Sequence, residues 1–172
     1  IFNVLFIIII GILSHFLYDW SNENSIVGLF VAVNESTWEH IKLAIFPSLI
    51  VFAIQYFLYF KNSNNFFFGV FLSLFTTILL IPIFFYGYKS IVGTNLLFLD
   101  ILDFIFSVAI GQFIFYKIIK LKKISKIHKI LSIVGIIIII ICYLTFTYFP
   151  PKNFLFKDPV NNSYGINKGG YK

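Results

Sequence analysis

Five long apolar runs leave this chain little choice of fold. They are Ile1 to Trp20, Leu43 to Phe60, Phe66 to Tyr86, Leu96 to Tyr116 and Ile130 to Phe149, and each approaches the roughly 20 apolar residues that a helix needs to cross a hydrocarbon layer. In hydrocarbon every backbone N–H and C=O must find its partner within the protein, and a helix achieves this inside one segment. The expected fold is an all-α integral membrane protein: a five-helix transmembrane bundle over residues 1–149, followed by an extracytoplasmic C-terminal tail over residues 150–172. Only 12% of the residues are charged and 59% are hydrophobic, against about a quarter charged in a soluble domain. Soluble fold classes are excluded.

The stretch Ser25 to Val33 is also apolar but too short to span, and it follows the polar residues Ser21 to Asn24. It reads as an interfacial or re-entrant segment between the first two helices. The chain begins at Ile1 and contains no methionine, so an initiator is expected to precede it.

Orientation follows from lysine. The connection between the fourth and fifth runs carries Lys117, Lys120, Lys122, Lys123, Lys126 and Lys129, and such a loop belongs in the cytoplasm by the positive-inside rule. Five crossings then place the N-terminus and Lys61 inside, and the first long loop, Lys89 and the tail outside, in a multi-pass protein of the cell membrane. Lys152, Lys157, Lys168 and Lys172 in the tail run against this assignment, but turning the chain over exposes six clustered lysines instead. No separate soluble basic domain exists to carry nucleic-acid binding, so the partner implied is membrane lipid. The single Cys142 rules out an internal disulfide and a thiolate metal cluster.

All seven acids gather in the outer half under this topology. Asp100 and Asp103 are the most informative, because they lie inside the fourth apolar run, where a charged group normally faces a bundle interior or a wet cavity. Their i, i+3 spacing puts both carboxylates on one helix face, and Asp103 falls on the order of 10 Å below Leu96. A purely structural role, hydrogen bonding to a neighbouring helix, is the competing reading.

The strongest local string is Asn34-Glu35-Ser36-Thr37-Trp38-Glu39-His40, just ahead of the second run. On a helix Glu35 and Glu39 share a face, and carboxylate with imidazole can bind a divalent metal or act as a general base with its orienting partner. Ser36-x-x-Glu39 is also a capping box, which would use the serine and glutamate to satisfy free amides at a helix start. His15 and Asp19 form a second i, i+4 pair near the outer end of the first helix, where a carboxylate can orient a metal-binding or proton-relaying histidine. The candidate catalytic residues are therefore Glu35, Glu39, His40, Asp100 and Asp103. The candidate ligands of a divalent metal are His15, Asp19, Glu39, His40, Asp100 and Asp103. Gln55 and Gln112 read as interhelical glue, Pro47 and Pro82 as kinks, and the turn-rich Asp158 to Gly165 as a surface turn or a plug folded over the outer face.

The segment His15 to Trp20, the Asn34-Glu35-Ser36-x-Trp38-Glu39-His40 string with Lys42 and Pro47 after it, and the closing Asp158-Pro159-Val160 with Tyr164-Gly165-Ile166 resemble an uncharacterised family of small bacterial multi-pass membrane proteins. The resemblance covers nearly the whole chain. It implies the class without a mechanism, and it singles out Asn34, Asp158 and Tyr164 beside the acids and histidines.

Three functions fit these residues. The first is a metal-dependent, membrane-embedded hydrolase of a lipid or lipid-linked substrate. The second is a proton-, cation- or solute-binding small transporter or accessory subunit, although the inner half offers little polar lining beyond Gln55 and Gln112. The third is a structural protein without catalysis.

Overall fold

A computed structural model describes residues 2–166; Lys168 and Lys172 of the tail lie outside the described residues. The elements are α1 (Phe2–Trp20), α2 (Ser25–Gly28), α3 (Thr37–Gln55), α4 (Phe66–Val92), α5 (Leu97–Ile119) and α6 (Lys126–Tyr148), with α3 continuing through a π-helical turn, Tyr56–Phe60. Five of these helices are long and apolar enough to cross a membrane. The fold is the expected all-helical membrane bundle.

Several helices outrun the apolar runs that announce them. α3 begins at Thr37, six residues ahead of Leu43, because Ser36 caps it with extended backbone (φ −72°, ψ 152°). α4 extends to Val92, where Gly93 in the left-handed conformation (φ 85°) stops it. α6 starts at Lys126. Hydropathy marks the part of a helix suited to lipid, whereas caps and turns decide where the helix ends. α3 and α4 run through Pro47 and Pro82.

Small residues set the closest helix approaches, as they do where lipid removes any hydrophobic drive between helices. α4 and α5 meet through Ser73, Thr77, Ser107 and Gly111; the Thr77 hydroxyl, which bonds the Ser73 carbonyl within α4 at 3.0 Å, reaches the Ser107 carbonyl of α5 at 3.4 Å, and a Cβ on Gly111 would run into Thr77 and Ser73. α1 approaches α3 and α5 at Gly11, where a Cβ would stand 2.7 Å from the Leu43 carbonyl oxygen and 2.7 Å from the Phe104 ring. Between these contacts Ile7, Ala44, Ile45, Leu74 and Val108 form a buried apolar centre.

The two ends of the bundle differ in charge. One collects the acids, from Asp19 at the end of α1 and Glu23 beyond it to Asp158 after α6; the other collects Lys61 and the lysines of the α5–α6 connection. Gln55 and Gln112 each leave a buried Oε1 without a hydrogen-bond partner among the described residues, so neither is the interhelical bridge its sequence setting suggested.

Candidate functional site

The loop between α1 and α3 builds the acidic end. Asn22 and Glu23 take left-handed backbone (φ 53° and 56°) and reverse the chain. Asn24 then caps the single turn of α2, its Oδ1 accepting from the Ile26 and Val27 amides at 2.9 and 3.3 Å. Beyond it Val31 and Ala32 are buried. Irregular backbone can be buried only where neighbouring groups satisfy it. Here α6 and α3 do so: Tyr148 donates to the Ser25 carbonyl at 2.9 Å, Tyr143 to the Phe30 carbonyl at 2.6 Å, and Lys42 to the Gly28 carbonyl at 2.8 Å.

Lys42 is the hub of this arrangement. Its ammonium also donates to the Glu39 carboxylate and to the Thr147 hydroxyl, each at 2.8 Å, and the same Glu39 oxygen accepts from the Val33 amide at 3.1 Å. Half of the capping box forms, with Ser36 Oγ accepting from the Glu39 amide at 3.4 Å. The return half does not, because Val33 and Lys42 occupy the carboxylate and Asn34 Oδ1 takes the Ser36 amide at 2.9 Å. Glu39 therefore joins the loop, α3 and α6 and stands apart from the other candidates.

Glu35 and His40 face α1 instead. Glu35 Oε2 lies 3.7 Å from His15 Nε2 and 3.5 Å from His40 Nε2, and the two imidazoles meet edge to face with centroids 5.3 Å apart. His40 Nδ1 is 3.0 Å from the Ser36 carbonyl oxygen. A carbonyl only accepts, so Nδ1 carries a proton, and Nε2 is the ring nitrogen that faces Glu35. Contact with His15, ahead of the charge of His40, holds the Glu35 carboxyl below its ordinary value against the opposing effect of partial burial.

One potential ligand atom from each of these three residues falls within 4.8 Å of the others. Ligand atoms placed about 2.1 Å from a tetrahedral ion stand roughly 3.4 Å from one another, close to the carboxylate–imidazole separations seen here. The donor set, two imidazoles and one carboxylate, leaves a fourth position open. His40 is oriented through its other ring nitrogen by backbone, as metal-binding histidines usually are. The residues fit a divalent metal. Asp19, at the exposed end of α1, and the two α5 acids are outside this cluster.

Asp100 and Asp103 share a cavity with it. A space of about 680 Å³ is lined by His15, Glu35 and His40, by Asp100 and Asp103 on α5, by Lys89 at the end of α4, and by an apolar wall that includes Ile12, Phe16, Phe85, Ile101 and Phe104. Tyr88 donates to Asp100 and accepts from the Leu96 amide at 3.3 Å, tying the α4–α5 turn to the acid. Asp103 is 7% exposed and accepts from Ser107 Oγ at 2.9 Å.

The tail closes one rim. Asn34 Nδ2 donates to the Gly165 carbonyl at 3.0 Å, the Trp38 amide to Leu155 at 3.0 Å and the Ile166 amide to Thr147 at 3.0 Å. Phe156 is buried against Trp38 and Phe146. Buried Asp158 shapes the turn, its Oδ1 accepting from the Val160 amide at 2.8 Å, and so places Pro159 and Val160 on the cavity rim. Tyr164 pairs with Lys157 through backbone.

The profile of a family of unknown function matches residues 1–166, the five helices and the tail together. The chain belongs to the family DUF6512. No curated protein and no solved structure matches it. The DUF6512 match covers every residue of the cluster, the cavity and the latch, and it brings the class without an activity.

Sequence reasoning missed Lys42 as the partner of Glu39, Tyr88 as the partner of Asp100, and Lys89 as cavity lining. Lys42 did carry a signal, an ammonium one turn inside an apolar helix and three residues from an acid. Tyr88 and Lys89 carried none, since a tyrosine and a lysine at a helix end are ordinary interfacial residues.

Proposed function

We propose that this DUF6512 protein is a membrane-embedded, divalent-metal-dependent hydrolase of a lipid or lipid-linked ester, with His15, Glu35 and His40 as metal ligands and Asp100 and Asp103 as acid–base groups. The observation that carries the reading is that a three-ligand cluster with an open position and a pair of carboxylates line one cavity. A divalent ion there supplies Lewis acidity and a water of lowered pKa. One of the α5 carboxylates takes the proton of the attacking water, oxygen from that water bonds to the carbonyl or phosphoryl centre, and the bond to the leaving alcohol breaks as the proton is returned to its oxygen. The apolar wall of Ile12, Phe16, Phe85 and Ile101 accommodates a hydrocarbon chain beside the polar end.

In this reading the lysine-rich end lies in the cytoplasm and the cavity faces the outer side of a bacterial cell membrane, as the distribution of lysines favours. Transport is less well supported, because Ile7, Ala44, Ile45, Leu74 and Val108 fill the bundle centre. A merely structural role leaves the His15–Glu35–His40 geometry without a purpose.

Elemental mass spectrometry of protein purified without chelator tests the proposal. Near-stoichiometric metal is expected in the wild type and in Asp100→Asn/Asp103→Asn, with loss in His15→Ala/His40→Ala. The Asp variant is expected to keep metal and lose hydrolysis. A well-folded wild type free of metal sinks the hydrolase.

A further inference from the structure

The opposite end of the bundle holds a second cavity, of about 360 Å³, between the α3–α4 connection and the start of α6. Lys123, Lys126 and Lys129 line it together with Ile130 and Ile133. The α5–α6 connection, which carries Lys123 and leads into Lys126 and Lys129 at the start of α6, is held by Asn65, which is 4% exposed. Its Nδ2 donates to the carbonyls of Ile118, Leu121 and Lys122 at 3.2, 2.9 and 3.2 Å, and its Oδ1 accepts from the Ile124 amide at 3.1 Å. One buried amide thus sets the backbone on which the lysines stand.

Among the described residues these lysines have no acidic partner. Every acid of the chain is at the other end, and the ion pairs among the described residues are those of His15, His40 and Lys42 with Glu35 and Glu39. Three lysines line one cavity, and an anion from outside relieves the repulsion among their like charges. The cavity also has an apolar wall that continues outward. Ile130 is 45% exposed, and Leu131, Val134, Ile137 and Ile138 further along α6 are exposed as well, as a lipid-facing helix surface would be.

We propose that this cavity binds the phosphate of an anionic phospholipid, with Lys123, Lys126 and Lys129 around the headgroup and Ile130 and Ile133 against the start of its chain. A free phosphate would satisfy the lysines and leave the apolar wall unused. The site is independent of the metal cluster and stands whether or not the protein is a hydrolase.

Native mass spectrometry of the full chain in neutral detergent, with phosphatidylglycerol and phosphatidylcholine added separately, provides the test. Wild type is expected to retain phosphatidylglycerol in preference to phosphatidylcholine. Lys123→Gln/Lys126→Gln/Lys129→Gln is expected to weaken that preference by about tenfold or more, from the roughly fivefold that each lysine near a headgroup can contribute. Lys117→Gln/Lys120→Gln/Lys122→Gln carries the same charge change outside the cavity and is expected to keep the preference, as is the triple arginine variant of the cavity lysines. Equal losses in both glutamine triples overturn the site in favour of diffuse loop charge. Displacement of the lipid by inorganic phosphate at equal concentration overturns the lipid assignment. Unchanged thermal midpoints among the variants are expected, since Lys123 and Lys126 are exposed and Lys129 is half-buried.

Discussion

Lys42 and Glu39 form an ion pair of 2.8 Å in which neither side chain is more than 1% exposed. Both charges are compensated further, the ammonium by Gly28 and Thr147 and the carboxylate by the Val33 amide. Removing one member strands the other in a medium that cannot solvate it. Glu39→Gln and Lys42→Met are each expected to destabilise the protein by about 3–5 kcal/mol, and the double substitution by less than the sum of the two. Thermal unfolding in detergent measures this. If Glu39 has no part in the metal site, the folded fraction of Glu39→Gln keeps wild-type metal content.

Gly11 connects packing to the site. A methyl there would press on the Leu43 carbonyl and the Phe104 ring, each at 2.7 Å, and the first of these is backbone that cannot rotate away. Gly11→Ala is expected to cost about 1–3 kcal/mol. Because His15 follows one turn along α1, displacement of that helix also moves one proposed ligand away from the other two. Weaker metal retention in Gly11→Ala than in Gly87→Ala, where a Cβ meets nothing within 4 Å, is the expected result.

The tail latch depends on a second glycine. Gly165 has φ +62°, and a Cβ on it would meet the Thr147 carbonyl at 2.6 Å and the Pro150 ring at 3.0 Å. Gly165→Ala combines left-handed strain with a clash, an effect of about 1–3 kcal/mol. Limited proteolysis is expected to cut this variant between residues 150 and 166 faster than wild type, and Asn34→Ala, which loses the bond to the Gly165 carbonyl, to behave likewise. Equal cleavage rates would count against the latch.

The five helices were legible because a membrane-spanning helix is announced by composition alone, run by run, and each of the five apolar runs lies largely or wholly within a spanning helix. The cluster was legible only in part. His40 and Glu35 sit in one string, but the approach of His15 comes from the reversal at Asn22 and Glu23, whose left-handed backbone no spacing rule reports. Glu39 looked equivalent to Glu35 because helical periodicity gives a face, and only the packing of α6 through Thr147 shows that Glu39's side of α3 is closed. Asp158 offered a turn signal, and its turn places Pro159 and Val160 on the rim of a cavity lined by residues more than fifty positions earlier in the chain.

The Glu35 contact makes a pH prediction whose sign can be worked out. Its carboxyl is held below the ordinary value, which is about 4.3, so in metal-free protein its contribution to stability is present above that value and is lost as pH falls through the lower folded pKa. The stability difference between wild type and Glu35→Gln, taken from thermal midpoints, is expected to be present above the ordinary carboxyl value and to shrink as pH falls through the lower folded one. Metal binding needs neutral imidazole and ionised carboxylate, so metal loading is expected to rise with pH. A midpoint difference that stays constant from about pH 3 to 8 would show that Glu35 exchanges no charge with His15 and His40, and would remove the electrostatic basis of the cluster.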